Sequence, residues 1–336
     1  MKKFLLSMAI VAIAGAGTQA SAQTAPANAI NGTFSVAADK QVYFSQGNLQ
    51  YTQSTATWAF AEHQYDMIGT DNVTGGTVSH DATEGDEVSG EALADKIDLF
   101  GWSGSTAAVQ WGVGISGNSA ADYSGDFVDW GSNTIGTDAP DTWRTLTRSE
   151  WDYVLSERPD AYTKRGVARI KLNSDGTMYA NGLILLPDTW TAPEGVTFKS
   201  GFATEESVQA YADYQTFTLS DWQKLESAGA VFLPAAGLRL EKRILYAHGE
   251  MFLWTATYGA TYTLMQNANS KSISIFGSER YCGRTVRLVQ DVKAVGTGIA
   301  EADVTGNVET RKVLRDGQIL IQRGDQTYTV MGETLK

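Results

Sequence analysis

The stretch that decides the fold is Trp143-Arg144-Thr145-Leu146-Thr147-Arg148-Ser149-Glu150-Trp151-Asp152-Tyr153-Val154-Leu155. Thr147 followed three residues later by Glu150 predicts a capping box, in which each side chain bonds the other's free backbone N–H at a helix start. Leu146 and Trp151 have the spacing of a hydrophobic staple across that start. The apolar side chains of Trp151–Leu155 then fall on one helix face. This pattern is typical of a fold signature rather than of a catalytic motif.

Residues 1–22 have the pattern of a secretory signal. Lys2 and Lys3 form a charged start, the apolar run 4–16 follows, and Ala20-Ser21-Ala22 is a small-residue cleavage site before Gln23. The run is too short to span a bilayer, and no later segment approaches a membrane span. We therefore expect a secreted protein, in the extracellular space or on the outer cell surface, with no membrane span.

Charge and cysteine content exclude several classes of function. The net charge of −12 argues against nucleic acid as a partner, because phosphate contacts need a basic face. Cys282 is the only cysteine, so neither an intramolecular disulfide nor a cysteine-type zinc site can form within the chain. Stability must come from a hydrophobic core, and the 34 glycines against six prolines predict many tight turns.

The body of the chain reads mainly as short strands. After a polar leader at 23–33, β-prone runs begin at Phe34, and the main domain is predicted over 34–290. Two apolar runs, 182–186 and 230–233, each stop at a proline and predict buried strands. A second capping box, Ser220 with Gln223, predicts a helix that ends near Ser227, before Gly229. The repeated order of helix, apolar run and proline predicts two related layers.

Two Gly-rich regions, 71–90 and 101–141, read as loops. The second contains isolated aromatic residues, which we expect to anchor it to a scaffold: Trp102, Trp111, Tyr123 and Trp130. Residues 291–310 form a small-residue linker, and 311–336 a separate β module. Its three predicted strands, 312–315, 318–323 and 326–331, are joined by Asp316-Gly317 and Gly324-Asp325, which favour hairpin turns.

Four motifs together carry a family resemblance: WRTLTRSEWDYVL (143–155), AVFLPAAGLR (230–239), LWTAT (253–257) and GRTVRLV (283–289). The chain resembles the formylglycine-generating-enzyme branch of the C-type-lectin-like fold, and more closely the secreted Fibrobacter-type major paralogous domains of gut and rumen bacteria. The resemblance implies a loop-rich α+β domain, with short helices flanking a twisted antiparallel sheet. The C-terminal segment is similar to type IX secretion signals, which implies the secretion machinery as a partner.

The enzyme hypothesis fails a residue test. Formylglycine-generating enzymes bind copper through two cysteines, and Cys282 has no second thiolate with which to build such a site. The related sulfoxide synthases hold iron in a histidine cluster, whereas this chain has only His63, His80 and His248. No cofactor is therefore expected, and the sequence argues against an enzyme without excluding one that has a divergent metal site.

The sequence also offers candidate residues for a calcium site and for a ligand site. Calcium binds carboxylate and carbonyl oxygens, and loop aspartates offer weak candidate ligands: Asp122, Asp126 and Asp129, with Asp138 and Asp141 nearby. C-type-lectin-like domains present ligands near their last strands, which implies a site in the region 254–284. Aromatic, amide and guanidinium groups suited to ligand binding there are Tyr258, Tyr262, Asn267, Asn269, Arg280 and Tyr281.

The leading hypothesis is a non-enzymatic, secreted or surface-displayed binding protein whose ligand is an extracellular glycan or protein. One alternative is an enzyme of the formylglycine-generating-enzyme-like superfamily. Another is a structural subunit of a surface assembly, in which the aromatic loops serve as packing surfaces.

Overall fold

The chain divides into two compact units, Met1–Val292 and Lys293–Lys336. The predicted signal, residues 1–22, lies outside the described residues. The computed structural model describes residues 25–52, 54–67, 86–87, 96–102, 127–240, 243–258, 263–278, 280, 282–293, 310–315, 318–323, 326–329 and 334–335.

The first and last strands of the larger unit lie in one antiparallel sheet. Its order is β1, β2, β17 and β7, with bounds Ala29–Ala37, Lys40–Ser45, Leu288–Asp291 and Arg144–Thr145. Strand β1 starts at Ala29, before the predicted domain start at Phe34, because Ala29 pairs with Ser45 and Ile30 is buried. Since β17 lies between β2 and β7, the end of this unit is hydrogen-bonded to its beginning.

The two apolar runs that stop at proline are neighbouring strands. Strand β9 (Tyr179–Leu185) pairs antiparallel with β11 (Val231–Pro234), and nearly every residue of both is buried, as predicted. The sheet continues to β8 (Arg165–Lys171) and then, in parallel, to β10 (Thr216–Thr218). The prediction of two related layers is wrong, because the two runs bond to each other within one sheet.

Helix α1 (Arg148–Asp152) begins at the predicted capping box. The amide of Glu150 donates to Thr147 Oγ1 (3.3 Å), and the amide of Thr147 donates to Glu150 Oε2 (2.9 Å). The helix continues as one π-helical turn, Tyr153–Glu157. Leu146 and Trp151 are both buried in the same core cluster, which agrees with the predicted staple.

Helix α2 (Val208–Tyr214) is capped by Ser207, and α3 (Leu219–Ser227) follows it. The predicted cap of α3, Ser220, is wrong. The helix begins two residues earlier because Thr218 has the extended backbone of a cap and forms a box with Asp221, whose amide donates to Thr218 Oγ1 (3.1 Å). The predicted end is confirmed, and Gly229 follows with φ +92°. Single 3₁₀ turns occur at Trp130–Ser132 and Ala161–Thr163.

The described residues of the larger unit also form three antiparallel sheets of three strands each. Their strands, in sheet order, are β4 (Thr57–Phe60), β3 (Leu49–Thr52) and β6 (Lys96–Ile97); β12 (Leu238–Leu240), β13 (Arg243–Leu245) and β5 (Asp86–Glu87); and β14 (Glu250–Tyr258), β15 (Thr263–Asn269) and β16 (Ile273–Ser278).

Tryptophans dominate the core. Those with less than 2 % of their surface exposed are Trp102, Trp130, Trp151, Trp222 and Trp254. The burial of Trp102 and Trp130 confirms that these two loop aromatics are anchors, whereas Trp111 and Tyr123 lie outside the described residues.

A buried arginine joins distant segments of the core. Nη2 of Arg287 donates to Oε1 of Gln64 (2.6 Å), and Nε2 of Gln64 donates to Glu226 (2.9 Å). Oε1 of Gln64 also accepts from the amide of Phe232 (2.9 Å). Burial lowers the pKa of Arg287 to about 9. Arg287, in the motif 283–289, therefore links core segments that are distant in the sequence.

The described residues of the smaller unit form an antiparallel meander of four strands. They are β18 (Thr310–Arg315), β19 (Gln318–Arg323), β20 (Gln326–Thr329) and β21 (Thr334–Leu335). The prediction of three strands misses β21 and extends β20 by two residues to Met331. Leu314 and Ile319 pair across β18 and β19 and are 72 % and 55 % exposed. The predicted turns, Asp316-Gly317 and Gly324-Asp325, lie outside the described residues.

The sheets and short helices confirm a mixed α+β class with mainly antiparallel pairing. Within the described ranges, no helix is both long and apolar enough to cross a bilayer.

Candidate functional site

A cavity of about 320 Å³ lies between α2 and the loop that precedes it. We call it the α2 pocket. Its walls combine half-buried aromatic rings with exposed charged groups, and its lining residues are Lys199, Phe202, Ala203, Thr204, Glu205, Ala210, Asp213 and Tyr214. This volume falls at the lower end of the range for small-molecule sites, about 300–1,000 Å³.

The loop is fixed to β8 by a short parallel bridge between Gly166 and Gly201. The amide of Gly201 donates to the carbonyl of Arg165 (2.8 Å), and the carbonyl of Gly201 accepts from the amide of Val167 (3.0 Å). Gly201 has φ +103°, a backbone conformation that glycine adopts easily and other residues rarely adopt. A Cβ there would also meet the Tyr214 hydroxyl at 2.9 Å. Glycine at this position therefore lets the loop approach α2 closely.

The side chain of Gln215 holds the start of the loop. Its Oε1 accepts from the amide of Lys199 (3.0 Å), and its Nε2 donates to the carbonyls of Lys199 and Val167 (both 2.8 Å). The Tyr214 hydroxyl donates to the carbonyl of Ser200. These bonds fix the Lys199 backbone, while its Nζ lies 3.8 Å from the centroid of the Tyr214 ring.

The other end of the loop is held by Ser270, a fully buried residue in the turn between β15 and β16. Its Oγ donates to the carbonyl of Glu205 (2.9 Å) and accepts from the amide of Ser207 (3.1 Å). Its carbonyl accepts from the amide of Ala203 (2.7 Å). Because both ends of the loop are bonded to neighbouring strands and turns, the α2 pocket is formed before any ligand arrives.

The chemistry of the pocket suits a polar ligand that also has an apolar face. The rings of Phe202 and Tyr214 pack against the main core and offer aromatic surface. Glu205 and Asp213 are exposed hydrogen-bond acceptors, and Lys199 is an exposed donor. Nε2 of Gln209, at i−4 on α2, donates to Asp213 (2.9 Å) and orients that carboxylate.

The structure brings together part of the site predicted near the last strands. The Arg280 guanidinium lies 5.2 Å from the centroid of the Tyr258 ring, and Tyr258 is 50 % exposed. The ring of Trp102 stacks on Tyr258 at 5.7 Å. Tyr262 and Tyr281 lie outside the described residues.

Asn269 has a structural position instead of an exposed one. It is 7 % exposed, and its Oδ1 accepts from the amides of Lys271 and Ser272 (both 2.9 Å), closing the turn after β15. Asn267 pairs with Phe252 in the β14–β15 ladder, and its side chain lies outside the described part of the structure.

Asp129, the described member of the three calcium candidates, also has a structural position. Its carboxylate accepts from the amide of Gly131 (3.0 Å) and from the amide and hydroxyl of Thr145 (both 2.9 Å). Asp122 and Asp126 lie outside the described residues. Among the residues described, no three His, Cys, Asp or Glu side chains are arranged to hold a metal ion.

The described cysteine and histidine residues are not among the residues that line the α2 pocket. Cys282 is buried, and His63 stacks on Tyr65 at 4.8 Å. His248 is 3 % exposed, and burial, with a smaller effect from Arg169, lowers its pKa to about 4. His80 lies outside the described residues.

The sequence prediction missed the α2 pocket. Its only local signal is the aromatic Phe202 directly after Gly201 in an otherwise polar segment. Comparison of the chain with protein-family models, with curated proteins and with solved structures gave no match.

Proposed function

We propose that the protein is a secreted or surface-displayed binding protein without catalytic activity, and that its ligand is a glycan held in the α2 pocket. The observation that carries this proposal is a preformed cavity in which two aromatic rings lie beside two carboxylates and a lysine.

This combination favours a sugar because each part matches a feature of a pyranose. Aromatic rings such as Phe202 and Tyr214 pack on the apolar C–H face of the sugar. The carboxylates of Glu205 and Asp213 accept hydrogen bonds from hydroxyl groups, and such charge-assisted bonds are the stronger kind. The volume of about 320 Å³ favours a terminal sugar unit over the middle of a long chain.

In this proposal the larger unit has the C-type-lectin-like fold of the Fibrobacter-type major paralogous domains. Burial of Trp151, Leu233, Trp254 and Arg287, one from each of the four motifs, supports that reading. Residues 311–336 serve as a type IX secretion signal, and the meander with its exposed Leu314 and Ile319 is the surface that the machinery would contact.

A glycan array screened with residues 23–336 tests the function. We expect saturable binding to a defined terminal sugar, reduced at least severalfold by Glu205→Gln or Asp213→Asn. Both substitutions keep side-chain size at exposed positions, so the fold is preserved. Glu206→Gln is the matched control, because Glu206 is exposed and adjacent but does not line the pocket.

Two results contradict the proposal. One is a blank array with folded protein, and the other is binding that Glu205→Gln and Glu206→Gln reduce equally. Running the array with calcium and with a chelator also tests whether calcium takes part in ligand binding. Loss of binding in the chelator would assign the calcium ion a role in the site.

A protein ligand is the second candidate, and a different surface favours it. Tyr258 and Phe276 are 50 % and 44 % exposed, and Arg280 lies over the Tyr258 ring. Exposed tyrosine beside arginine is typical of interface hot spots. Loss of a captured protein partner in Tyr258→Ala, with array binding unchanged, would assign the partner to this second surface.

A further inference from the structure

Arg165 is a buried cation between two aromatic rings. Its guanidinium carbon lies 4.8 Å from the centroid of Tyr162 and 5.6 Å from that of Phe202. The residue is 6 % exposed, and Nη1 is buried without a hydrogen-bond partner among the described residues. A buried guanidinium nitrogen in this state costs free energy unless a ligand or water bonds to it.

Arg148 and Arg158 each have a carboxylate partner, whereas Arg165 has none among the described residues. Arg148 pairs with Asp152 at 3.4 Å, and Arg158 pairs with Asp188 at 3.0 Å. Within the described part of the chain, Arg165 forms no salt bridge. Arg165 is close enough to Arg158 to lower the pKa of that side chain, although burial lowers it more. Among the described residues, the positive charge of Arg165 therefore has no carboxylate partner.

Arg165 lines a small cavity of about 50 Å³ between the π-helical turn and β16. Its lining residues are Asp152, Leu155, Ser156, Arg165, Ile273, Ser274 and Ile275. A single water needs about 10–15 Å³ by this kind of measure, so the cavity admits a group of a few heavy atoms. A flat carboxylate fits that description and matches the fork of guanidinium donors.

The surrounding charges favour a singly charged group. The chain has a net charge of −12 and Asp152 is one of the cavity-lining residues, so both oppose a phosphate dianion or a polyanion more strongly than a single carboxylate. Tyr162 is 65 % exposed and its ring lies against the Arg165 guanidinium, which places an open aromatic surface beside a residue of the cavity wall. An aromatic surface beside a carboxylate site fits a carboxylate carried by a sugar ring.

We infer that Arg165 binds the carboxylate of an acidic sugar such as a uronic acid, whose ring rests on Tyr162. The part of this inference that names a sugar as the molecule bearing the carboxylate rests on the proposed glycan-binding function. The carboxylate site itself does not rest on that function, because acetate carries the same group without a ring.

Titration calorimetry of residues 23–336 with acetate, glucuronate and glucose, at constant ionic strength balanced with chloride, tests the inference. We expect saturable acetate binding and tighter glucuronate binding. Arg165→Lys keeps the charge but loses the planar fork, and should weaken both by roughly tenfold. Tyr162→Ala, at an exposed position, should weaken glucuronate severalfold and leave acetate unchanged.

Arg169→Lys is the matched control. Arg169 also stacks on an aromatic ring, Tyr179 at 3.9 Å, but its donors bond to Asn181 and to the carbonyl of Val208. The control should bind acetate and glucuronate as the parent protein does.

Three outcomes overturn the inference: no saturable acetate binding, equal affinity in the parent protein and in Arg165→Lys, or no gain of glucuronate over acetate. The proposed function can fail separately. A blank array together with glucuronate binding that persists in Glu205→Gln and weakens in Arg165→Lys would remove the α2 pocket as the glycan site and leave the Arg165 site standing.

Discussion

Nη2 of Arg287 and Oε1 of Gln64 lie 2.6 Å apart, although 223 positions separate the two residues in the chain. The buried cation thus has a neutral amide as its nearest partner. The Nε2 of that amide in turn donates a hydrogen bond to the Glu226 carboxylate. The bond fastens the loop after β4 to the residues just before β17.

Replacing Gln64 should therefore destabilise the whole unit. Gln64→Leu removes the buried acceptor of Arg287 Nη2 and of the Phe232 amide, and we expect a loss of about 3 kcal/mol in the free energy of unfolding. Urea denaturation measures it. Gln223→Leu, at an exposed position of α3, is the control and should change stability by less than about 0.5 kcal/mol. Equal effects of the two substitutions would contradict the bridging role.

The capping box makes a smaller contribution. Thr147→Ala removes the acceptor for the Glu150 amide, and we expect a loss of about 1 kcal/mol. Thr147→Ser keeps the hydroxyl and should retain most of the stability. Thermal unfolding of the two variants checks this, and a serine variant as unstable as the alanine variant would mean that the threonine methyl, and not the cap, is what matters.

His248 predicts a dependence of stability on pH. Its folded pKa is about 4, against an ordinary value of 6.5, so below pH 6.5 the unfolded chain binds a proton that the folded chain does not. Stability should therefore fall as the pH drops from 6.5 to 4, by roughly 3 kcal/mol in full. Urea denaturation at pH 7 and pH 4.5 measures most of this loss.

The control for that loss is His248→Asn. His248 has φ +61°, and asparagine tolerates this conformation while lacking a titrating group. The stability of the variant should fall less between pH 7 and pH 4.5 than that of the parent protein. The same fall in both proteins would assign the acid sensitivity to carboxylates elsewhere.

Ser270 predicts a link between the β15–β16 turn and the α2 pocket. Ser270→Ala removes the bond to the Glu205 carbonyl and the acceptor for the Ser207 amide. We expect faster hydrogen exchange at the Ser207 amide and severalfold weaker glycan binding, because the loop is no longer held in place. Ser272→Ala, in the same turn, is the control, and unchanged exchange at Ser207 in Ser270→Ala would contradict the link.

Features that depend on neighbouring residues were predictable from the sequence. The Thr147–Glu150 box and the buried run in β9 follow from side chains within a few positions of each other. The start of α3 was misplaced because two cap-like patterns overlap there, and the box forms between Thr218 and Asp221 instead of between Ser220 and Gln223.

The candidate site was not predictable in the same way. Lys199, Glu205 and Ser270 meet only because Gly201 bridges to Gly166 and the turn after β15 folds against the loop. No pattern within a short stretch of sequence predicts contacts between segments that lie so far apart in the chain. Asn269 shows the converse, since an amide that looks suited to a ligand is used to close a turn.

The position of β17 between β2 and β7 has a consequence for how the protein is made. During synthesis, β2 leaves the ribosome long before β17. The edge of β2 that faces away from β1 stays unpaired until β17, which starts at residue 288, has been made. Such late closure makes folding slow and dependent on the whole unit. If the chain is exported as we propose, this delay would help, because the chain would reach the export channel while it is still unfolded.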